Sequence, residues 1–205
     1  MDSIIFDLDG TLWDSRRSVS KAWTEVVRDA SCKRIEVTES DLRKTMGLQI
    51  KDIADILFDD LDKQERLNLI LACCKQEQGE LLQEGGQIYP ELERTLKALL
   101  KKYRLFIVSN CQEGYIEAFY EFHGFGHFFE DFENPGRTGL SKGENIRFLM
   151  ERNGLKSPVY VGDTAGDMTA AQFADIPFVY AAYGFGEVES YDYRIEVFED
   201  LLKIF

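Results

Sequence analysis

The chain changes rhythm twice. Ile4-Ile5-Phe6 is a short run of β-branched and aromatic residues, as in a buried strand, and it ends in Asp7-Leu8-Asp9-Gly10-Thr11. After Asp14 the apolar positions fall three and four apart. Val19, Ala22, Trp23, Val26, Val27 and Ala30 make one face of an amphipathic helix. Thr38 followed by Asp41 marks a second helix start. Helical spacing runs on over 50–58 and 62–82, the latter with Leu67, Ile70, Leu71 and Cys74 on one stripe. Gly85-Gly86 then punctuates the chain.

Beyond residue 86 helix and strand patterns alternate. Pro90 opens a helix with Leu92, Leu96, Leu99 and Leu100 inward, and Leu105-Phe106-Ile107-Val108 is a strand ending at Ser109-Asn110. Helices follow over 113–122 and 143–153. Val159-Tyr160-Val161 is a strand ending at Gly162-Asp163, with a helix through Ala174 and short strands over 177–181 and 194–198. This alternation predicts an α/β fold, a Rossmann-like doubly wound parallel sheet with helices on both faces. The helical stretch is an inserted all-helical cap subdomain over residues 15–86, and residues 1–14 and 87–205 form the catalytic core.

Composition fits that picture. Hydrophobic residues make up 44% of the 205 positions and aromatic residues 13%, enough for a packed core. The acidic N-terminus and the lack of a membrane-length apolar run predict a soluble, cytoplasmic protein that engages no membrane. Cys32, Cys73, Cys74 and Cys111 have no metal spacing and read as reduced thiols. A net charge of −13 argues against nucleic acid as a partner. The charge is uneven: residues 15–86 hold 12 Lys/Arg and 14 Asp/Glu, so nearly all of the excess lies in the core.

Three predicted strands end in polar residues. Asp7 and Asp9 follow the first, Ser109-Asn110 the second, and Asp163 with Asp167 a later one. Doubly wound sheets bind ligands at the carboxyl ends of their strands, so these groups should converge. Acids that close repel unless a cation intervenes. Lys142, within Thr138-Gly139-Leu140-Ser141-Lys142-Gly143, is the candidate side-chain cation, and the carboxylates make a hard oxygen site of the kind magnesium prefers.

The ordered set DLDGT, VSN, the lysine of TGLSKG, and VGDTAGD resembles the haloacid dehalogenase superfamily, and in particular its phosphoglycolate-phosphatase-like branch with a helical cap. The resemblance covers the whole chain, including Asp14-Ser15 leading into the cap. It implies an enzyme, a phosphoric monoester hydrolase acting on a small phosphorylated metabolite, phosphoglycolate-like or a sugar phosphate, through an aspartyl-phosphate intermediate. Asp7 would be the nucleophile and Asp9 the acid and base. Magnesium would be held by the Asp7 carboxylate, the Asp9 carbonyl and Asp163, with Asp167 assisting through water or by orienting Lys142. Gly10, Thr11, Ser109, Asn110 and Lys142 would bind phosphate. The cap segment Arg43, Met46, Gly47, Gln49 and Lys51, with Trp13, would set specificity, and the protein would be a monomer or homodimer. Gly143 stands where relatives often have proline.

Other readings fit less well. A twelve-residue calcium loop begun at Asp7 puts Leu12 at its glycine position, and one begun at Asp163 puts Met168 there. A receiver-like domain lacks the helical insertion and the second acid, and carbon–halogen cleavage needs neither Asp9 nor a metal. A phosphomutase uses the same core residues, and a non-catalytic regulatory protein retaining the fold is the alternative from another class. His123 and His127 read as packing or surface residues, Cys111 as a buried thiol beside the site, and Gly184-Phe185-Gly186 as a core loop near it.

Overall fold

The computed structural model describes residues 1–30 and 32–205. The core sheet contains β1 (Ser3–Phe6), β4 (Arg104–Val108), β5 (Asp131–Glu133), β6 (Pro158–Gly162), β7 (Phe178–Ala181) and β8 (Tyr193–Ile195), in the order β5-β4-β1-β6-β7-β8, with every pairing parallel. Side-chain alternation along the strands splits the core into two layers. Ile4, Phe6, Leu105, Ile107 and Val161 face α5 (Leu92–Leu99), α6 (Tyr115–His123) and α10 (Leu201–Ile204). Ile5, Phe106, Val108 and Tyr160 face α8 (Lys142–Asn153) and α9 (Ala165–Ala174). Strands apolar on both sides are what a helix-covered parallel sheet requires.

Among the described residues, the elements between β2 (Trp13–Asp14) and β3 (Gln87–Ile88) are all helices: α1 (Arg16–Arg28), α2 (Glu39–Thr45), α3 (Ile50–Leu57) and α4 (Lys63–Glu84). β2 and β3 pair antiparallel, Asp14 opposite Gln87, so the chain leaves the core and returns to it side by side. Thr38 and Asp41 form the expected reciprocal cap of α2, and Asp62 with Glu65 does the same for α4. α4 packs through Leu69, Ile70, Cys73, Cys74 and Leu81. Leu67 and Leu71, read as part of its inner stripe, are exposed, because the buried face is centred about one position earlier, on Leu69/Ile70 and Cys73/Cys74.

Other elements depart from the sequence pattern where tertiary pairing decides. Pro90 does not open its helix: Glu91 takes a left-handed backbone (φ 60°) and α5 starts at Leu92, with Leu100 exposed beyond its end. β8 ends at Ile195, and Phe198 opens a short 3-10 turn. The pairs β2 and β3, the edge strand β5, and the short α7 (Pro135–Thr138) and α10 are too brief to give a periodic signal.

Candidate active site

β1 lies between β4 and β6, with Phe6 in register with both Ile107 and Val161. The residues that follow these strands therefore meet at one edge of the sheet. Carboxylate oxygens of Asp7, Asp163 and Asp167 lie within 4.8 Å of one another, all three residues buried. Lys142, the first residue of α8, donates to Asp7 Oδ1 at 2.9 Å and to Asp167 Oδ1 at 2.6 Å. Thr164 caps α9 and Asp167 is its reciprocal partner. Asp167 Oδ2 accepts the Thr164 amide (2.9 Å), the Thr164 hydroxyl (2.7 Å) and the Asp163 amide (3.2 Å).

One ammonium does not balance three carboxylates. Burial and the charges of Asp167 and Asp7 hold the Asp163 carboxyl well above its usual range. Burial and Asp167 also raise Asp7, against the pull of Lys142. Asp163 Oδ2 accepts the Phe185 amide at 2.7 Å, while its Oδ1 is buried with no partner. A buried oxygen without a donor, in a cluster of excess negative charge, fits a hard divalent cation.

Asp9 stands outside this cluster. After Phe6 the chain turns, and the amides of Thr11, Leu12 and Trp13 all point to the Leu8 carbonyl, so strand alternation no longer aligns Asp7 with Asp9. Asp9 Oδ1 accepts the Ser15 hydroxyl at 2.6 Å and the Tyr115 hydroxyl at 3.1 Å. Burial and the neighbouring Asp7 charge push its carboxyl up to about 7, although both hydrogen bonds pull it down. Two acids two residues apart thus have separate surroundings, one paired with lysine and one with hydroxyls.

The expected phosphate-binding residues divide as well. Ser109 and Asn110 line the cavity above Asp7. Thr11 does not: it is fully buried, its hydroxyl unpaired and its carbonyl bonded by the Tyr183 hydroxyl at 2.8 Å. The Gly10 amide is already committed to the Trp13 carbonyl at 2.9 Å. Gly10 has φ +80°, and a Cβ there would lie 2.2 Å from Asp163 Oδ2, so its role is to let the loop pass the acid.

A family model described as haloacid dehalogenase-like hydrolase matches residues 4–181. The chain belongs to this family. It is 28% identical over 204 residues to the phosphoglycolate phosphatase of Aliivibrio fischeri, covering 91% of this chain and 86% of that one. It is 25% identical to the phosphoglycolate phosphatase of Escherichia coli O157:H7, covering 92% and 84%. Among solved structures it resembles a haloacid dehalogenase-like hydrolase from Streptococcus pneumoniae, with TM-score 0.87, 21% identity and coverage of 100% and 98%. A predicted phosphoglycolate phosphatase from Haemophilus somnus gives TM-score 0.83, 24% identity and coverage of 100% and 97%.

In this haloacid dehalogenase-like hydrolase the cap closes over the acids. The cavity between them has about 50 Å³ of free space and reaches from Asp7 and Asp9 to Val19, Trp23, Leu42 and Ile53 of the cap. The Asn110 side-chain amide donates to the Gly47 carbonyl at 2.8 Å, joining core to cap beside it. Of the expected specificity residues, Met46 and Gly47 line this cavity, and Arg43, Gln49 and Lys51 do not. Arg43 lines a groove on the other side of the Met46–Leu48 segment, and Lys51 is exposed. Trp13 is fully buried against Tyr115, Phe119 and His123.

Four contributors escaped the sequence reading: Tyr115 and Ser15 on Asp9, Tyr160 on Asp167 (3.3 Å), and Glu77 in the cavity wall. Ser15 sits in the quoted Asp14-Ser15 pair, so a signal existed. Tyr115 and Glu77 lie on helix faces that read as ordinary amphipathic positions. Burial pushes the Cys111 thiol far up, which keeps it protonated. His127 is exposed, and the only metal-competent cluster among the described residues is the aspartate triad. Among the described residues, no helix is long and apolar enough to cross a membrane.

Proposed function

We propose that this hydrolase is a magnesium-dependent phosphatase for a small phosphorylated metabolite, working through phosphorylated Asp7. The observation that carries the reading is the division of labour between Asp7, held against Lys142 within the acidic triad, and Asp9, held apart by hydroxyls. An acid raised to about 7 is partly protonated near neutrality, which is the state a leaving-group donor needs. The phosphoglycolate phosphatases among its relatives support the substrate class.

Asp7, Asp163 and the Asp9 carbonyl would hold the ion, with Asp167 orienting Lys142. Bound magnesium would offset the phosphate charge that otherwise repels Asp7. Asp7 attacks phosphorus while the ester oxygen departs with the proton of Asp9. Asp9, now ionised, takes a proton from the water that attacks the Asp7-bound phosphorus, releasing phosphate and regenerating both acids. Lys142 neutralises the transferred group, and Ser109 and Asn110 bind its oxygens. Residues 15–86 act as the cap that excludes water and selects the alcohol.

The test is phosphate release from a panel of small phosphomonoesters with magnesium and with chelator. The reading predicts turnover that chelator abolishes and magnesium restores. Equal rates in both conditions would overturn it.

A further inference from the structure

The cavity over Asp7 and Asp9 is the space left for the alcohol half of the ester. Its cap side is largely apolar, with Val19, Trp23, Leu42, Ile50 and Ile53. Apart from Asp7 and Asp9, its polar lining is Thr45, Glu77, Ser109, Asn110, Gln112 and Tyr115. Among the described residues, no lysine, arginine or histidine lines it.

Glu77 is buried on α4, where its two carboxylate oxygens are bonded by the Trp23 indole N–H and the Gln112 amide. It thereby ties two cap helices to the loop after β4. Ionised, it adds a negative charge to the wall; protonated, it is neutral. In neither state does it supply the positive charge that a buried substrate carboxylate would need. The cations of the cap lie elsewhere: Arg43 and Lys44 line the groove beyond the Met46–Leu48 segment, and Lys51 lines a third depression.

We propose that the alcohol half of the ester this chain hydrolyses carries no negative charge, and is a small, largely apolar alcohol, neutral or cationic. The proposal rests on the phosphatase reading above. A carboxylate on the alcohol would meet no cation, and the wall's donors on Thr45, Asn110, Gln112 and Tyr115 are already bonded to Leu42, Gly47, Glu77 and Asp9, so it would lose its hydration without gaining a partner. A neutral alcohol loses little there, and a cationic one faces carboxyl oxygens rather than another cation.

The test uses the magnesium-loaded full chain at pH 7, hydrolysing p-nitrophenyl phosphate. Inhibition constants are measured for propyl phosphate, ethanolamine phosphate and 2-phosphoglycolate, which are matched in size. The tighter of the first two should bind at least tenfold better than 2-phosphoglycolate. A ratio below ten, with p-nitrophenyl phosphate still hydrolysed, overturns the charge assignment alone. Failure to hydrolyse p-nitrophenyl phosphate with magnesium present overturns the phosphatase reading, and this proposal with it.

Discussion

The Tyr115 hydroxyl lies 3.1 Å from Asp9 Oδ1, across 106 positions of chain, and 2.7 Å from the Ser15 hydroxyl that also bonds Asp9. Whether Tyr115 donates directly or through Ser15, it supports the ionised form of Asp9 and holds the carboxyl down against burial. Tyr115→Phe should therefore raise the Asp9 pKa. The alkaline limb of kcat/KM, set by loss of the Asp9 proton, should move to higher pH by roughly half a unit to one unit. A pH–rate profile of the variant checks this, and an unmoved limb would detach Tyr115 from the acid.

Among the described residues, Lys142 is the only ammonium bonded to the buried triad. Lys142→Met leaves Asp7 and Asp167 without their shared partner, a change that costs about 3 kcal/mol or more for buried ion pairs. Urea unfolding at pH 7.5 in chelator should show that loss. Magnesium should recover part of it, because the ion supplies positive charge at the same carboxylates. A loss under 1 kcal/mol would mean that the triad tolerates its own repulsion.

Glu77 gives a pH signature of its own. Burial raises its carboxyl from its ordinary value of about 4.5 to about 8, so the folded state binds a proton that the unfolded state releases. Its contribution to stability is fully present below about pH 4.5 and is lost as pH rises through about 8, at up to ~1.4 kcal/mol per pH unit. Glu77→Gln, which cannot ionise, should lose less stability than the parent between pH 5 and pH 8. Parallel stability curves for the two proteins would contradict the assignment.

Gly10→Ala combines a left-handed backbone with a Cβ placed on the Asp163 carboxylate. The backbone alone costs about 1–2 kcal/mol, and the clash moves the acid. Thermal melts should show a lower Tm and a much reduced gain from added magnesium. A normal magnesium response would show that the acid relaxes without losing the ion.

Much of this site is legible in the chain because strand ends carry it. Asp7, Ser109 and Asp163 each follow a short apolar run, and parallel pairing around β1 brings those ends together without any further information. Thr164 and Asp167 carry the same cap spacing as Thr38 and Asp41, a signal the sequence reading passed over. Glu77 and Tyr115 carry no such signal, since each is one polar position on an amphipathic helix and acquires its role only when α4 packs on α6 and α1. Arg43 and Lys51 illustrate the opposite case. Charge near a glycine turn drew attention to them, yet the turn at Gly47 faces its backbone to Asn110 while those side chains sit outside the cavity. Thr11 belongs with them, because the motif places it beside the acids but the turn at Leu8 buries its hydroxyl.

The central claim is that Asp7 receives the phosphoryl group in a metal-dependent step, and fluoroberyllate binding tests it without knowledge of the substrate. Fluorine NMR of the protein with beryllium fluoride should show bound resonances when magnesium is present. They should vanish with chelator and in Asp7→Asn. Bound resonances that survive Asp7→Asn, or their absence from the magnesium-loaded parent protein, would contradict the account.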